Sequence, residues 1–432
     1  MTPTALTGAT LIDVDRGVAL PDSTVVIEDG RIARVGAADA TAIPPDTRTV
    51  DVRGKWIIPG LIDMHVHLSV YRYRLTDLYL DHGVTTVRDV AGDVTLLRLL
   101  RDDIESGEVS GPRLFFTGNL LDGAPPVFRT SFVLLADTPE RAESIVDFLA
   151  DQGVHAIKAY NMLSESTLAA IIAAAARRGL PVIGHIPRAI TMTRAVEMGM
   201  EGLEHIRITA RELLPVEEAE AIDYLPVGVR EPKLWDRIDL DGTPMSRLIG
   251  LLARSGIYLD PTLIMDEVIY VDGVRTMKAH PDNRLLPPEI LEELLKEPDM
   301  DILDVPEELR GTALEAFRKR VRFVGMCHRA GVRVIAGTDA WGLGKLIAGL
   351  SLHRELELLC EAGLTPLEAL QAATITAARA LRSDSEIGSI RPGKRADLVI
   401  LDADPLASIS NTRKINRTIK GGEMHSPAGA AR

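Results

Sequence analysis

The sequence predicts an α/β protein: a (β/α)8 TIM barrel with a small β-sandwich domain built from both chain ends. The length of 432 residues is enough for a large barrel and a smaller unit. The middle of the chain repeats a helical segment that ends at a glycine and is followed by a short β-branched strand. Both ends of the chain instead carry short strand patterns punctuated by turns.

The two chain ends have the character of a single sheet domain. "STVVIEDGRIARVG" is two strand-like runs joined at Asp29 and Gly30, a pair that strongly favours a hairpin turn. The stretch "GSIRPGKRADLVILDADP" near the other end has the same pattern. We therefore expect residues 1–56 and 386–432 to form one composite β-sandwich domain around a barrel of residues 57–385.

The barrel strands follow from the repeated unit. Glycine just past a helix suits the left-handed cap position, and Asp137, Thr138 and Pro139 mark the start of an amphipathic helix that ends before Gly153. Eight strands are expected, in the segments "IIPGLIDMHVHL", "DHGVTTVRD", "PRLFFTG", "ADQGVHAIKAY", "ARRGLPVIGH", "GMEGLEH", "ARSGIYLDP" and "HRAGVRVIAGTD".

Two long stretches, residues 206–250 and 266–312, interrupt this rhythm just beyond strand ends. Both carry prolines and helix-like pieces, and the second is strongly acidic. They are either solvated helices or lids over the active face, where loops commonly carry specificity.

Composition narrows the classes of function. Apolar residues make up 46% and charged residues 26%, as in ordinary globular proteins, and the net charge of −13 argues against nucleic acid as a partner. No apolar run reaches the ~18 residues of a membrane span, and the start lacks a signal-peptide pattern. Cys327 and Cys360 are too few for a disulfide framework, which fits a cytoplasmic protein. The oligomeric state is open, with a homo-oligomer as one alternative.

Polar residues close most of the predicted strands, and in a barrel these carboxyl ends share one rim. His65 and His67 lie two residues apart, so they share one face of a strand. Four of the ten histidines therefore converge with one aspartate; such ligands suit zinc, and manganese, iron, cobalt and nickel are alternatives by ligand type. The residues at the rim are His65, His67, Asp89, Lys158, His185, His205, Asp260 and Asp339.

Lys158 is the unusual member of this rim. Burial beside cations lowers the pKa of an ammonium group toward the neutral amine. A neutral amine reacts with carbon dioxide to form a carbamate, an anion with two oxygens that is able to bridge two metals. The alternative is a surface or substrate-binding lysine.

With these residues in place, the sequence resembles the amidohydrolase superfamily. The matching motifs are "PGLIDMHVHL", "AIKAYN", "VIGHI", "GLEHI" and "AGTDA", in order, and the resemblance covers nearly the whole chain. It implies two divalent metal ions, most simply zinc, and a carbamate on Lys158. The more buried metal would take His65, His67, Lys158 and Asp339, and the more exposed one would take Lys158, His185 and His205.

The branch of the superfamily decides the chemistry. Deaminase-type members carry an acid three residues after the strand 5 histidine, whereas this chain has Arg188 in "HIPR". The sequence more closely resembles the two-metal branch of prolidase-like and Xaa-Arg or Xaa-Lys dipeptidases and of amidases that release an amino acid from an N-acyl group. Imidazolonepropionase is a more distant relative with one metal.

This resemblance leads to a hypothesis about mechanism. A hydroxide bridging the two metals attacks an amide or peptide carbonyl, with Asp339 as general base and then general acid. Tyr160 could donate a hydrogen bond to the carbonyl oxygen, and Arg72 and Arg74 could bind a substrate carboxylate. The small-molecule substrate could instead be a lactone, a carbamate or a phosphotriester, and a silent scaffold is the third alternative.

Three side chains near or outside the rim are expected to have supporting roles. Asp89 and Asp260 either orient metal-binding histidines or cap the segments that follow them. His353 lies in a helical pattern and is expected to be structural.

Overall fold

The computed structural model describes residues 2–69, 75–296, 301–340 and 342–426. Within these residues the strands are β1 (Thr4–Asp13), β2 (Val18–Glu28), β3 (Arg31–Ala37), β4 (Arg48–Asp51), β5 (Trp56–Pro59), β6 (Leu61–Val66), β7 (Val84–Asp89), β8 (Arg113–Phe116), β9 (Leu120–Asp122), β10 (Val133–Leu135), β11 (Ile157–Ala159), β12 (Val182–Gly184), β13 (Gly202–Glu204), β14 (Tyr258–Asp260), β15 (Arg333–Val334), β16 (Leu398–Leu401), β17 (Ile415–Lys420) and β18 (Glu423–His425).

Helices alternate with the strands of the middle region. The α-helices of the described residues are α1 (Thr76–Asp81), α2 (Val94–Ser106), α3 (Pro139–Asp151), α4 (Glu165–Arg177), α5 (Met192–Met198), α6 (Val216–Asp223), α7 (Val227–Arg237), α8 (Thr243–Ser255), α9 (Leu263–Glu267), α10 (Pro288–Lys296), α11 (Arg310–Arg329), α12 (Leu350–Glu361), α13 (Pro366–Ala372) and α14 (Ile375–Ala380). Shorter helical turns are Ala210–Glu212, Val268–Asp272, Val274–Ala279, Pro281–Leu285, Asp301–Leu303, Glu307–Leu309, Gly344–Leu346 and Ile409–Arg413.

The two chain ends build one mixed sheet, in the order β18-β17-β16-β5-β1-β2-β3, with β4 beside β1. The predicted hairpin is present, because Asp29 and Gly30 both adopt positive φ, 48° and 74°, between β2 and β3. This hairpin contacts the segment before β16, where the Ala396 N–H donates to the Gly30 carbonyl at 2.9 Å. A mixed sheet from both ends is thus confirmed, and its division into two packed layers stays a prediction.

The middle strands run parallel, as β6-β7-β8 and as β9-β11-β12-β13-β14-β15 with β10 at the edge. The two sets meet where the Met64 N–H donates to the Ala336 carbonyl at 3.0 Å and where Val66 pairs with Ala340 in parallel. This α/β arrangement is consistent with the predicted (β/α)8 barrel. Its carboxyl-terminal strand ends share one rim.

The predicted third strand, "PRLFFTG", is only part of the element found. The chain bends at Gly118, whose φ is +67° and whose added Cβ would lie 2.9 Å from Val94 side-chain atoms. The bend produces β8, which pairs with β7, and β9, which pairs with β11. One interrupted strand thus links the two parallel sets, and the prediction stopped where the bend begins.

The predicted first strand, "IIPGLIDMHVHL", divides at Gly60 into β5 and β6. A Cβ at Gly60 would lie 2.1 Å from Thr85 Oγ1, so the close approach of β7 requires glycine there. The Gly60 N–H donates to the Asp397 carbonyl at 2.8 Å. Consequently β5 joins the chain-end sheet while β6 carries the histidine pair into the parallel sheet.

The helices cover the parallel strands through apolar stripes. In α3, Thr138 Oγ1 accepts the Arg141 N–H at 3.2 Å, as expected of the N-cap, and Ala142, Val146 and Leu149 are buried at helical spacing. The stretch 206–250 contains α6, α7 and the start of α8, and 266–312 contains α10 and several short turns. Among the described residues, no helix combines the length and the apolar character needed to cross a membrane.

Candidate metal centre

The candidate metal centre lies at the carboxyl ends of the parallel strands. His65 is in β6 with His67 just beyond it, and Lys158 is in β11. His185 and His205 directly follow β12 and β13. Asp339 lies in the segment after β15, where its N–H donates to the His65 carbonyl at 2.8 Å. The six predicted ligands therefore all come from the rim that the strand pattern indicates.

Imidazole nitrogens converge on the Asp339 carboxylate. His67 Nε2 lies 3.0 Å from Asp339 Oδ1, and His65 Nε2 lies 3.8 Å from the same oxygen. His205 Nε2 lies 3.7 Å from Oδ2. The His185 ring continues the cluster, with its centroid 4.9 Å from that of His205.

Each of these four histidines uses its Nδ1 for a protein partner. The partners are Glu204 Oε2 for His65 (2.7 Å), the Ala91 carbonyl for His67 (3.2 Å), Asn161 Oδ1 for His185 (3.0 Å) and Thr262 Oγ1 for His205 (2.6 Å). A partner on Nδ1 fixes the ring orientation and leaves Nε2 for coordination, as metal-binding histidines commonly require.

Backbone strain accompanies these positions. His205, Thr262 and Asp339 have φ values of 62°, 46° and 53°, although none is glycine. Asp63 helps to hold this geometry, since it accepts the Thr338 Oγ1–H at 2.7 Å and the Thr338 N–H at 3.1 Å. Such strain persists only where surrounding contacts enforce it, and it clusters at functional sites.

Lys158 is buried in this centre with no hydrogen-bond partner. Its side chain is 1% exposed, and Nζ contacts no acceptor in the described part of the chain. Burial lowers the pKa of Lys158 to about 8, although Glu204 and Asp339 act in the opposite direction. Burying an amine without a hydrogen-bond partner costs free energy, and a further group bound to Nζ would lower that cost.

Three of the four imidazoles are held neutral, as metal ligands must be. Burial, with the charge of Lys158, lowers the pKa of His65 to about 4. Burial also lowers the pKa of His185 and His205 well below the usual range. Although burial acts against it, the contact with Asp339 raises the pKa of His67. Burial would raise the pKa of Asp339, but the neighbouring histidines hold it well below its usual range.

These residues fit a divalent metal ion. Ligand atoms of His65, His205 and Asp339 all lie within 4.8 Å of one another, and all three residues are buried. Neutral imidazoles with a carboxylate suit zinc and related ions. The unpartnered Lys158 amine beside them is a second indication that a group is missing from the protein's own contacts.

Glu204 and Arg88 form a layer beneath the ligands that the sequence did not reveal. Glu204 Oε1 accepts from Arg88 Nη2 at 2.7 Å, and the Arg88 Nε–H donates to the Met64 carbonyl at 2.8 Å.

The two aspartates expected either to orient histidines or to cap segments differ from each other in their hydrogen bonds. Asp89 accepts the N–H groups of Leu68 and Ala91, which is the capping alternative, and the Asp260 carboxylate makes no hydrogen bond within the described residues.

Glu204→Gln is expected to weaken metal binding by about 10–100-fold, because glutamine cannot give both His65 and Arg88 a charged acceptor. Competition of the purified protein with a chromophoric chelator measures this affinity. Glu201→Gln is the matched control, since Glu201 is exposed and pairs with Arg382 at 2.7 Å. Equal affinities for the two variants would contradict the orienting role of Glu204.

Of the three predicted substrate-binding residues, the structure describes only Tyr160. The Tyr160 ring lies 4.4 Å from the His185 ring and 6.0 Å from that of Phe128, so it borders the metal centre. Arg72 and Arg74 lie outside the described residues. His353, expected to be structural, is buried in α12 with Nδ1 2.9 Å from Thr412 Oγ1.

The fold and the centre together define an α/β protein with a buried histidine and carboxylate cluster of the kind that holds catalytic metals. The model of the amidohydrolase family matches residues 56–424. The chain therefore belongs to the amidohydrolase family, as the sequence motifs indicated.

Individual relatives extend over most of the chain. Imidazolonepropionase of Symbiobacterium thermophilum is 25% identical over 405 residues, covering 88% of this chain and 84% of the relative. The structure of a prolidase from Bifidobacterium longum, named as putative, matches with a TM-score of 0.74 and 26% identity, covering 98% of this chain and 94% of that one. A Xaa-Pro dipeptidase with bound methionine matches with a TM-score of 0.72 over 98% of this chain and 100% of that one, but at 20% identity it shows the fold alone.

Proposed function

We propose that this protein is a binuclear metal-dependent amidohydrolase that cleaves an amide or peptide bond, as a dipeptidase or an N-acyl-amino-acid amidase would. The observation that carries the proposal is the convergence of His65, His67 and His205 on Asp339, next to the buried and unpartnered Lys158. The structural neighbour from Bifidobacterium longum named as a prolidase supports this class of bond.

Lys158 is proposed to carry a carbamate. The lone pair of the neutral amine forms an N–C bond with carbon dioxide, one C=O pair moves to oxygen, and the nitrogen releases a proton to solvent. The product is an anion with two oxygens. Nζ would then no longer be an unpartnered amine, and the two oxygens would be metal ligands alongside the surrounding imidazoles. His65, His67, Lys158 and Asp339 would then hold the more buried ion, and Lys158, His185 and His205 the more exposed one.

Two divalent ions at these residues, zinc by ligand type, would supply Lewis acidity and a water acidic enough to react near neutral pH. The role of Asp339 is to accept a proton from that water and return it to the leaving amine. Its ionised carboxylate faces the Nε2 atoms of His65, His67 and His205, so its position is fixed from three directions. Tyr160, beside His185, would donate its O–H to the substrate carbonyl oxygen.

The domain plan is part of the same proposal. A composite domain of residues 1–56 and 386–432 would support a barrel of residues 57–385. The stretches 206–250 and 266–312 would act as lids, since α6 and α7 follow β13 and α10 follows β14 on the side of the rim. Cys327 and Cys360 are free, which accords with the cytoplasmic location we expect.

An assay panel tests the bond type. Zinc-loaded protein would be screened against dipeptides and N-acyl-amino acids, beside lactones, carbamates and phosphotriesters of similar size. Hydrolysis of the first group by at least about 10²-fold over the second in kcat/KM supports the proposal. The reverse preference would replace it with one of the other bond types, and no turnover with any of them would favour a silent scaffold.

A further inference from the structure

A cavity of about 390 Å³ lies at the amino-terminal ends of the parallel strands, opposite the rim that carries the candidate metal ligands. Its lining includes residues that begin β13, β14 and β15 or directly precede β11 and β12, namely Gly202, Tyr258, Arg333, Ala156 and Pro181. We call this space the floor cavity. The proposed hydrolysis does not use it.

The Arg88–Glu204 ion pair closes the buried end of the floor cavity. Both residues line the cavity, and Arg88 Nη2 donates to Glu204 Oε1 at 2.7 Å. Glu204 Oε2 also lies 2.7 Å from His65 Nδ1, so the floor cavity reaches the layer directly beneath the metal ligands. Because the two charges compensate each other, this end offers no unpaired charge to a bound molecule.

Apolar side chains from several elements line the floor cavity between its two ends. Ala156 and Gly202 are small residues at a level where branched side chains usually fill the interior of a (β/α)8 barrel. The volume falls within the range of about 300–1,000 Å³ that is typical of small-molecule sites. The apolar residues are Phe116, Ile183, Val196, Met200, Ile335 and Leu381.

The outer end of the floor cavity carries an excess of positive charge. Arg333, Arg379 and Arg382 line it and are exposed. The exposed carboxylate among the described lining residues is Glu201, which pairs with Arg382 at 2.7 Å. Arg379 lies 4.0 Å from Asp15, and Arg333 has no carboxylate partner in the described part of the chain. This cationic cluster occurs in a chain whose net charge is −13, so it is not a general property of the surface.

Arg333 stands between the floor cavity and a neighbouring cavity of about 560 Å³, which shares Arg333, Tyr258 and Arg379 with it. Its guanidinium carbon lies 5.3 Å from the Tyr258 ring centroid, and Nη1 lies 3.4 Å from Tyr258 Oη. The carboxylate of the neighbouring cavity, Glu368, is bound to His328 at 3.1 Å and to Thr365 at 2.7 Å. The tyrosine therefore positions the Arg333 guanidinium, which keeps N–H donors for an external anion.

We propose that the floor cavity is a second binding site, for a small monocarboxylic acid with an apolar body whose carboxylate pairs with Arg333. The apolar body would lie among Ile183 and Ile335, and the carboxylate would stay at the cationic outer end. A bound acid would contact the Arg88–Glu204 pair that orients His65. Because no bond is cleaved at this site, the proposal stands or falls separately from the proposed hydrolase activity.

Calorimetric titration of zinc-loaded protein with benzoate and benzamide tests the site, because the two probes have similar shapes and differ in charge. Benzoate is expected to bind with a Kd of about 1 mM or tighter, and benzamide more weakly by about tenfold or more. Arg333→Met should reduce this preference to less than about threefold, because the pairing cation is lost. Ala380→Trp should abolish binding of both probes, since Ala380 is a half-buried lining residue and an indole there would fill the outer end.

Arg177→Met is the matched control, because Arg177 is an exposed arginine outside the floor cavity that pairs with Glu143 at 2.9 Å. It should bind both probes as the wild type does. Benzoate held by the metal centre would be unaffected by Arg333→Met or Ala380→Trp, so binding that neither variant weakens would overturn the proposal. The absence of saturable benzoate binding by the wild type would overturn it as well. Melting curves identify any loss that is due to unfolding.

A crystal of the wild-type protein soaked with 4-bromobenzoate locates the site without any substitution. The anomalous signal of bromine is expected inside the floor cavity, between Ile183 and Ile335, with the carboxylate at Arg333. A bromine signal confined to the metal centre or to the outer surface would contradict the proposal.

Discussion

Replacing Asp339 by asparagine is expected to lower kcat by about 10²–10⁴-fold while most of the bound metal stays in place. Asparagine keeps an oxygen ligand at the point where His65, His67 and His205 converge. It cannot accept the proton of the attacking water, so the loss falls on turnover and not on metal affinity. Initial rates at saturating substrate, with metal content measured by plasma mass spectrometry on the same samples, separate the two effects.

A surface aspartate provides the control for this substitution. Asp241 is 71% exposed and pairs with Arg322 on the protein surface, so Asp241→Asn should leave both kcat and metal content unchanged. A near-normal kcat for Asp339→Asn would remove Asp339 from its role as general base and acid. Loss of metal in proportion to activity would reduce Asp339 to a ligand alone.

Replacing Lys158 by methionine is expected to reduce bound metal to about one ion per chain or fewer and to lower kcat/KM by about 10²–10³-fold. Methionine fills a similar volume but cannot form a carbamate, so it would remove the proposed bridge between the two metal positions. In the metal-free state, removing a buried amine that has no partner should cost no stability, which excludes unfolding as the cause. Lys55→Met, which breaks an ion pair with Asp402 in the chain-end sheet, is the control.

Carbon-13 bicarbonate gives this prediction a readout that does not depend on activity. Wild-type protein equilibrated with the label should show a carbamate resonance that Lys158→Met lacks. The same resonance in both proteins would assign the carbamate to another amine. Its absence from the wild type, together with full metal content, would mean that the Lys158 amine plays a different part.

The positions of the candidate ligands could be predicted because two local rules suffice. Parallel strands place their carboxyl ends on one rim, and a polar residue that closes a strand is therefore placed there by the fold alone. His65 and Lys158 lie near the carboxyl ends of β6 and β11, His205 directly follows β13, and Asp339 lies in the segment after β15. The hairpin at Asp29 and Gly30 was predictable for a similar reason, since only residues that tolerate positive φ suit that turn.

The partners of these ligands could not be predicted, because they depend on long-range contacts. Glu204 binds His65 from 139 residues away, and Arg88 reaches Glu204 across 116 residues. Nothing in the local pattern separates Glu204 from an ordinary strand residue. Asn161, by contrast, lies within the motif "AIKAYN". The sequence therefore offered a signal for its role as the partner of His185.

Arg207 illustrates a different limit. It stands two residues beyond His205, but an arginine near a histidine is indistinguishable in sequence from a surface arginine. The structure alone shows that Asp266 and Glu231 bind Arg320, and that Arg207 Nε is buried without a hydrogen-bond partner among the described residues. The arginines that the sequence favours, Arg72 and Arg74, lie outside the described residues.

The metal content of the wild-type chain tests the central claim most directly. Metal-free protein would be reconstituted with excess zinc in bicarbonate buffer, separated from unbound metal, and analysed for zinc per chain by plasma mass spectrometry. The two-metal site that we propose at His65, His67, Lys158, His185, His205 and Asp339 predicts about two zinc ions per chain. A plateau at about one ion per chain, unchanged by bicarbonate, would contradict the bridging carbamate and the binuclear mechanism with it.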